Sequence, residues 1–126
     1  MKKNDRLWQR LSLAAEDEVK ALMQALPDPI RQRVRGIPIV FELFPSRDMV
    51  KDGVDPDLMG LFVGEPVEEE GLHAEMTEIL LFLENIWEEA EHDAEEYRRQ
   101  VRDTLLHEIG HYLGLEEDDL ALRDLE

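Results

Sequence analysis

Two histidines and a glutamate form the group of residues in this sequence that is best suited to chemistry. His107 and His111 are four residues apart. On a helix this spacing places two side chains on one face, with Cβ atoms about 5–6 Å apart. Two imidazoles so placed can converge on one ion, and zinc prefers such nitrogen ligands. The segment therefore predicts a helical zinc site.

Glu108 lies between the two histidines and is predicted to activate water. It follows His107 directly, so its side chain projects about 100° further round the helix. It can thus stay outside the metal's coordination shell and hold the attacking water, which is the role that this motif gives its glutamate. Zinc lowers the pKa of water to about 7, so that hydroxide forms at neutral pH. We expect Glu108 to be the general base.

A third metal ligand is expected just after the predicted helix. Gly114 follows His111 by three residues, where a glycine can adopt the left-handed conformation that ends a helix. The chain then turns back with a run of acidic residues. Glu117 is the predicted third ligand, which leaves a fourth position for water as a catalytic site requires. Asp118 is the alternative.

The helix that carries the motif is predicted to begin near Asp93 and to run to Gly114. Asp93, with Glu96 three residues later, resembles a capping arrangement. At 100° per residue the apolar positions fall on one side, which is predicted to face the core: Val101, Leu105, Leu106, Ile109, Tyr112 and Leu113. Thr104, His107 and His111 fall on another side. Packing and chemistry are thus expected on different faces.

The rest of the chain predicts a small sheet packed against helices. A first helix is expected from Ser12, as its cap, to Pro27, followed by a short helical turn over 28–34. Strands are predicted at 37–44, 58–63 and 75–83, with a mobile loop between residues 45 and 57. No repeat or linker interrupts the chain. We expect an α+β fold in one domain spanning residues 1–126.

Composition excludes several functional classes. The net charge of −17, from 31 acidic and 14 basic residues, would repel phosphate backbones and anionic headgroups, so nucleic-acid binding is disfavoured. The absence of cysteine excludes disulfides, thiolate ligands and cysteine nucleophiles. No apolar run is long enough to cross a bilayer, and the N-terminus lacks a signal core. We expect a cytoplasmic protein that does not bind membranes; oligomeric state has no signal in the sequence.

The motif and its surroundings resemble the minimal zincin-like metallopeptidase family of bacteria. The resemblance rests on residues 107–115, on 60–66, on the apolar segment 79–82 and on 101–106, and it extends over about residues 12 to 120. It implies a compact α+β domain that binds zinc through His107, His111 and an acidic third ligand, with Glu108 as catalytic glutamate. The family pattern has aspartate where Glu117 stands, so Asp118 could compensate.

Other residues that could do chemistry are interpreted as structural. His73 and His92 have no partner at metal-ligand spacing, and both are expected at the surface or in packing. Tyr112, Trp8 and Trp87 are expected in or against the core. A peptide or protein substrate is expected, and an exposed strand beside the active helix could bind it through backbone hydrogen bonds, although the sequence does not say which strand.

Three hypotheses follow from the sequence. The first is a zinc-dependent, peptidase-like hydrolase. The second is a zinc-binding interaction or regulatory module that does not turn over peptides. The third is a metal-free acidic adaptor, which would explain the charge but not the ordered histidine spacing.

Overall fold

The structure, a computed structural model, describes residues 5–64 and 77–114. Within these ranges the chain forms five helices and three strands. The helices are α1 Arg6–Ala25, α2 Asp28–Val34, α3 Arg47–Lys51, α4 Leu83–Glu89 and α5 Ala94–Leu113. The strands are β1 Ile39–Glu42, β2 Gly60–Val63 and β3 Glu78–Phe82. The predicted α+β class is confirmed.

The three strands form one sheet in the order β1-β3-β2. β1 runs parallel to β3, and β2 runs antiparallel to it, with Phe62 opposite Ile79. Both faces of β3 are covered, since its residues from Ile79 to Phe82 are all buried. Because β3 is the central strand, β2 lies at an edge of the sheet among the described residues.

α1 begins earlier than the sequence predicted. Asp5 caps it, because its Oδ1 accepts a hydrogen bond from the backbone N–H of Trp8 at 2.7 Å. Ser12, the predicted cap, lies inside the helix, and its hydroxyl donates to the carbonyl of Gln9. The prediction was wrong because the apolar face already starts in the first turn, where Trp8 packs against the core. The predicted end before Pro27 is confirmed.

Two short helices were missed. The expected mobile loop 45–57 contains α3, whose cap Ser46 accepts a hydrogen bond from the backbone N–H of Met49 at 3.1 Å. α4 follows β3 without a loop, so a continuous apolar segment changes from strand to helix at Leu83. Short helices have too few turns to show an apolar period. The strands were predicted in the right places but are shorter than expected.

The first half of α5 is anchored to α1. Asp93 caps α5 as predicted, since its Oδ2 accepts from the backbone N–H of Glu96 at 2.8 Å. The buried hydroxyl of Tyr97 donates to the carbonyl of Leu11 at 2.8 Å. Nearby, the carboxylate of Glu18 in α1 forms ion pairs with Arg98 and Arg102 of α5, each at 3.1 Å. These contacts fix where the long helix starts.

The hydrophobic core lies between the sheet, α1, α4 and α5. From α5 it contains all six residues that the helical period predicted, each no more than 5% exposed: Val101, Leu105, Leu106, Ile109, Tyr112 and Leu113. Complete burial of one such side chain stabilises the fold by about 1.5–3 kcal/mol. The orientation of α5 about its own axis is therefore determined by its core face. None of the described helices is long and apolar enough to cross a bilayer.

Candidate metal centre

The two histidines of α5 meet on the side of the helix that reaches solvent. Their Nε2 atoms are 2.9 Å apart, and their ring centroids are separated by 4.6 Å. The core face of α5 points away from the two imidazoles, so both lie on the exposed face of the helix. The helical spacing thus converges two nitrogen donors on one point, as predicted.

The donors present fit a zinc ion. Zinc–nitrogen bonds of about 2.0–2.1 Å at a tetrahedral angle separate two nitrogens by roughly 3.3 Å. Small rotations of the His107 and His111 side chains would open their 2.9 Å separation to that value. With the Glu108 carboxylate included, one potential ligand atom from each residue lies within 4.8 Å of the others. This group is the candidate metal centre.

Glu108 is the buried member of the group. Only 8% of the residue is exposed, whereas both histidines reach solvent. Burial raises the pKa of Glu108 above the usual value for a carboxyl group. The neighbouring His111 and His107, and a hydrogen bond from the backbone N–H of Phe62, act in the opposite direction. A carboxyl group so balanced is suited to accepting and then donating a proton.

Strand β2 lies directly against the C-terminal half of α5. The rings of Phe62 and Tyr112 make an edge-to-face contact, with centroids 5.7 Å apart and planes at 68°. This contact places Tyr112 in the core, as the sequence predicted. Thr104, which was grouped with the histidines, is also buried, because it faces Gly60 of β2.

Sequence reasoning did not identify Gly60 or Phe62 as site residues. Gly60 gives the close approach between β2 and α5, and Phe62 supplies the amide that contacts Glu108. One signal was available, since a glycine inside a strand often marks a close backbone approach. The partner of that approach has no signal in the sequence.

The predicted third ligand lies outside the described residues. Glu117 and Asp118 both follow residue 114, so the choice between them stays a prediction. The end of α5 is as expected, since Gly114 has a left-handed backbone (φ 72°) and its N–H bonds to the carbonyls of Gly110 and His111. The helix therefore ends at Leu113, less than one turn beyond His111.

The remaining candidates are structural where the structure describes them. His92 stacks on Trp87, with centroids 5.0 Å apart, and its Nε2 lies 2.9 Å from Oε2 of Glu88. Trp87 is buried and Trp8 packs against the core, as predicted. His73 lies outside the described residues.

The fold and the His-Glu-His group define a zincin-like protein. The sequence model of the zincin-like metallopeptidase family matches residues 34–126. The chain belongs to this family, and membership supports a metal-dependent, peptidase-like role. The comparison with curated proteins finds no match. The matched range starts later than the predicted one and includes β1 to α5, so it contains the sheet and the whole candidate centre.

Proposed function

We propose that this protein is a zinc-dependent, peptidase-like hydrolase. His107 and His111 bind the ion together with an acidic residue after α5, for which Glu117 is favoured over Asp118. Glu108 acts as general base. The observation that supports this most directly is the convergence of two imidazole nitrogens, 2.9 Å apart, beside a buried carboxyl group. Each of these groups has the chemistry that its role requires.

The proposed reaction is hydrolysis of a peptide bond. When bound, zinc lowers the pKa of water to about 7 and polarises the carbonyl under attack. Glu108 takes the proton from the attacking water as the new C–O bond forms. It then passes that proton to the amine nitrogen as the C–N bond breaks, so the carboxylate is regenerated. The raised pKa of Glu108 favours the first transfer, because it makes the carboxylate a stronger base toward the attacking water.

Strand β2 is the proposed substrate-binding strand. The backbone N–H of Phe82 donates to the carbonyl of Met59 at 2.9 Å, so the ladder with β3 uses every second residue of the strand. The N–H and carbonyl groups of Gly60 and the carbonyl group of Phe62 therefore point away from β3, whereas the N–H of Phe62 is used by Glu108. An extended peptide paired there would place its backbone beside the centre.

The first test is metal content. Protein purified without added metal or an affinity tag is measured by elemental mass spectrometry beside His107→Ala and His111→Ala. Near-stoichiometric zinc in the native protein, lost in both variants, is the expected result. If no zinc binds even after reconstitution, the hydrolase proposal fails and the metal-free adaptor becomes the better hypothesis.

The second test is cleavage. A library of internally quenched fluorescent peptides is screened with zinc-loaded protein, and Glu108→Gln is the control because it keeps the size of the side chain but cannot act as a base. The expected loss of activity is about 10²–10⁴-fold, the usual contribution of general acid–base catalysis. A Glu108→Gln variant that retains zinc and full hydrolysis would refute the mechanism.

A zinc-binding module without peptide turnover is the second candidate. The burial of Glu108 against β2 favours it, since only 8% of this residue is accessible. This function predicts bound zinc, capture of a protein partner and no cleavage that depends on Glu108. The two tests together separate it from the hydrolase.

A further inference from the structure

The contact between Gly60 and α5 leaves no room for a side chain. A Cβ atom added to Gly60 would lie 2.5 Å from Cγ2 of Thr104 and 3.3 Å from Cγ of Glu108. The first distance is far below the 3.5–4.0 Å at which carbon atoms make their best contact. The closest atom is a methyl group on a buried, β-branched side chain, which has little freedom to move. The absence of a side chain at Gly60 therefore allows α5 to pack directly against β2.

The amide of Phe62 points at the same part of the helix. Phe62 lies opposite Ile79 in a pair that does not exchange hydrogen bonds, so its N–H is directed away from β3. There it donates to the carboxyl group of Glu108. Hydrogen bonds to ionised groups are stronger than those between neutral groups. Strand β2 thus acts on Glu108 at two residues. The absence of a side chain at Gly60 lets Glu108 approach the strand, and the N–H of Phe62 donates a hydrogen bond to it.

We propose that Gly60 and the backbone N–H of Phe62 form a backbone seat that positions the carboxyl group of Glu108 relative to the two histidines. Gly60 is then a positioning residue, and the inference rests on the proposed function for the role of Glu108. Correct placement matters because a general base must lie about 2.6–3.2 Å from the proton it takes. An error of about 1 Å in such a site can lower the rate about a hundredfold.

The test measures the amide of Phe62 directly, in metal-free, ¹⁵N-labelled full-length protein. Hydrogen exchange is followed by NMR, with the amide of Leu61 as internal reference because it lies in the ladder with β3. Glu108→Ala removes the acceptor, and we expect the Phe62 amide to exchange about tenfold faster, as loss of one hydrogen bond predicts. Glu108→Gln keeps a carbonyl oxygen there and should retain the slow exchange.

Gly60→Ala tests the glycine, and the chain offers a matched control. A Cβ added to Gly36 would meet no atom within 4 Å, so Gly36→Ala introduces the same methyl group without a clash. We expect Phe62 exchange to rise about tenfold in Gly60→Ala and to stay unchanged in Gly36→Ala. Thr104→Ser removes the methyl group at 2.5 Å, so the double variant Gly60→Ala with Thr104→Ser should recover slow exchange.

Two results would overturn the inference. Unchanged exchange of Phe62 in Glu108→Ala would show that the carboxyl group does not hold this amide. Equal behaviour of Gly60→Ala and Gly36→Ala would show that the close approach is not required. If Gly60→Ala does not fold, the Glu108 variants still decide. Absence of peptide cleavage by the native protein would refute the proposed function alone, since exchange is measured without metal or substrate.

Discussion

The two halves of α5 are held by different kinds of contact. The first half is joined to α1 by side chains, through the hydroxyl of Tyr97 and the ion pairs of Glu18 with Arg98 and Arg102. The second half rests on the backbone of β2, where the space is left by a glycine and the hydrogen bond comes from an amide. The first half carries none of the candidate metal ligands, and the second half carries the described ones.

This difference separates stability from placement. Side-chain contacts between two helices add to the free energy of unfolding, but long side chains can reach their partners from a range of positions. A contact with backbone allows much less adjustment, because the main chain of a sheet is fixed by its ladder. Substitutions that remove the contacts with α1 should therefore change stability and leave metal binding intact, and substitutions of the two exposed histidines should do the reverse.

The largest expected effect concerns His107→Ala. With free zinc at 100 times the dissociation constant, binding stabilises the native protein by about 2.7 kcal/mol, and the variant should lose this gain. Without zinc its free energy of unfolding should stay within about 0.5 kcal/mol of the native value, since the side chain reaches solvent. Thermal unfolding with and without zinc checks both statements. Equal stabilisation of both proteins by zinc would place the metal elsewhere.

Tyr97→Phe should lower the free energy of unfolding by about 1–2 kcal/mol, because it removes a buried hydrogen bond to the carbonyl of Leu11. Urea unfolding measures this change. Zinc affinity should remain within about twofold of the native value, since the substitution lies in the anchored half. A marked loss of zinc affinity would show that the two halves of α5 are coupled.

The same residue predicts a dependence of stability on pH. Burial raises the pKa of Tyr97 well above its usual value. The folded protein therefore keeps this proton to a higher pH than the unfolded chain, and its contribution is complete below about pH 10. By pH 11 the native protein should have lost about 1.4 kcal/mol relative to Tyr97→Phe. Urea unfolding of both proteins at pH 9 and pH 11 measures this change. The same difference in free energy of unfolding between them at both pH values would contradict the prediction.

Glu18→Gln should have the smallest effect, about 1 kcal/mol. Glu18 is more buried than a surface carboxylate, at 16% side-chain exposure, but its partners Arg98 and Arg102 are about a third or more exposed and can turn to solvent. The loss should shrink at 1 M salt, where screening is strong. Glu96→Gln, which removes a pair within α5 itself, is the control and should leave stability unchanged in the same denaturant titration.

Helical periodicity was enough to predict α5 and its core face, but it grouped Thr104 with the histidines, whereas Thr104 is buried against Gly60. The capping residue Asp93, the terminal Gly114 and the buried stripe all follow from local rules that act within a few residues. The convergence of His107 and His111 has the same origin, since a spacing of four residues determines it. Short helices such as α3 escaped these rules because caps, and not an apolar face, define them.

The sequence by itself thus determined the two histidine donors of the candidate centre, the helix that carries them and the side of that helix that faces the core. The tertiary structure alone decided that β2 is the neighbouring strand, that Gly60 faces Thr104 and that the Phe62 amide meets Glu108. The physical reason is the range of the interactions. Helical geometry depends on residues that are a few positions apart in the sequence, whereas the approach of a strand to a helix depends on how the whole core packs.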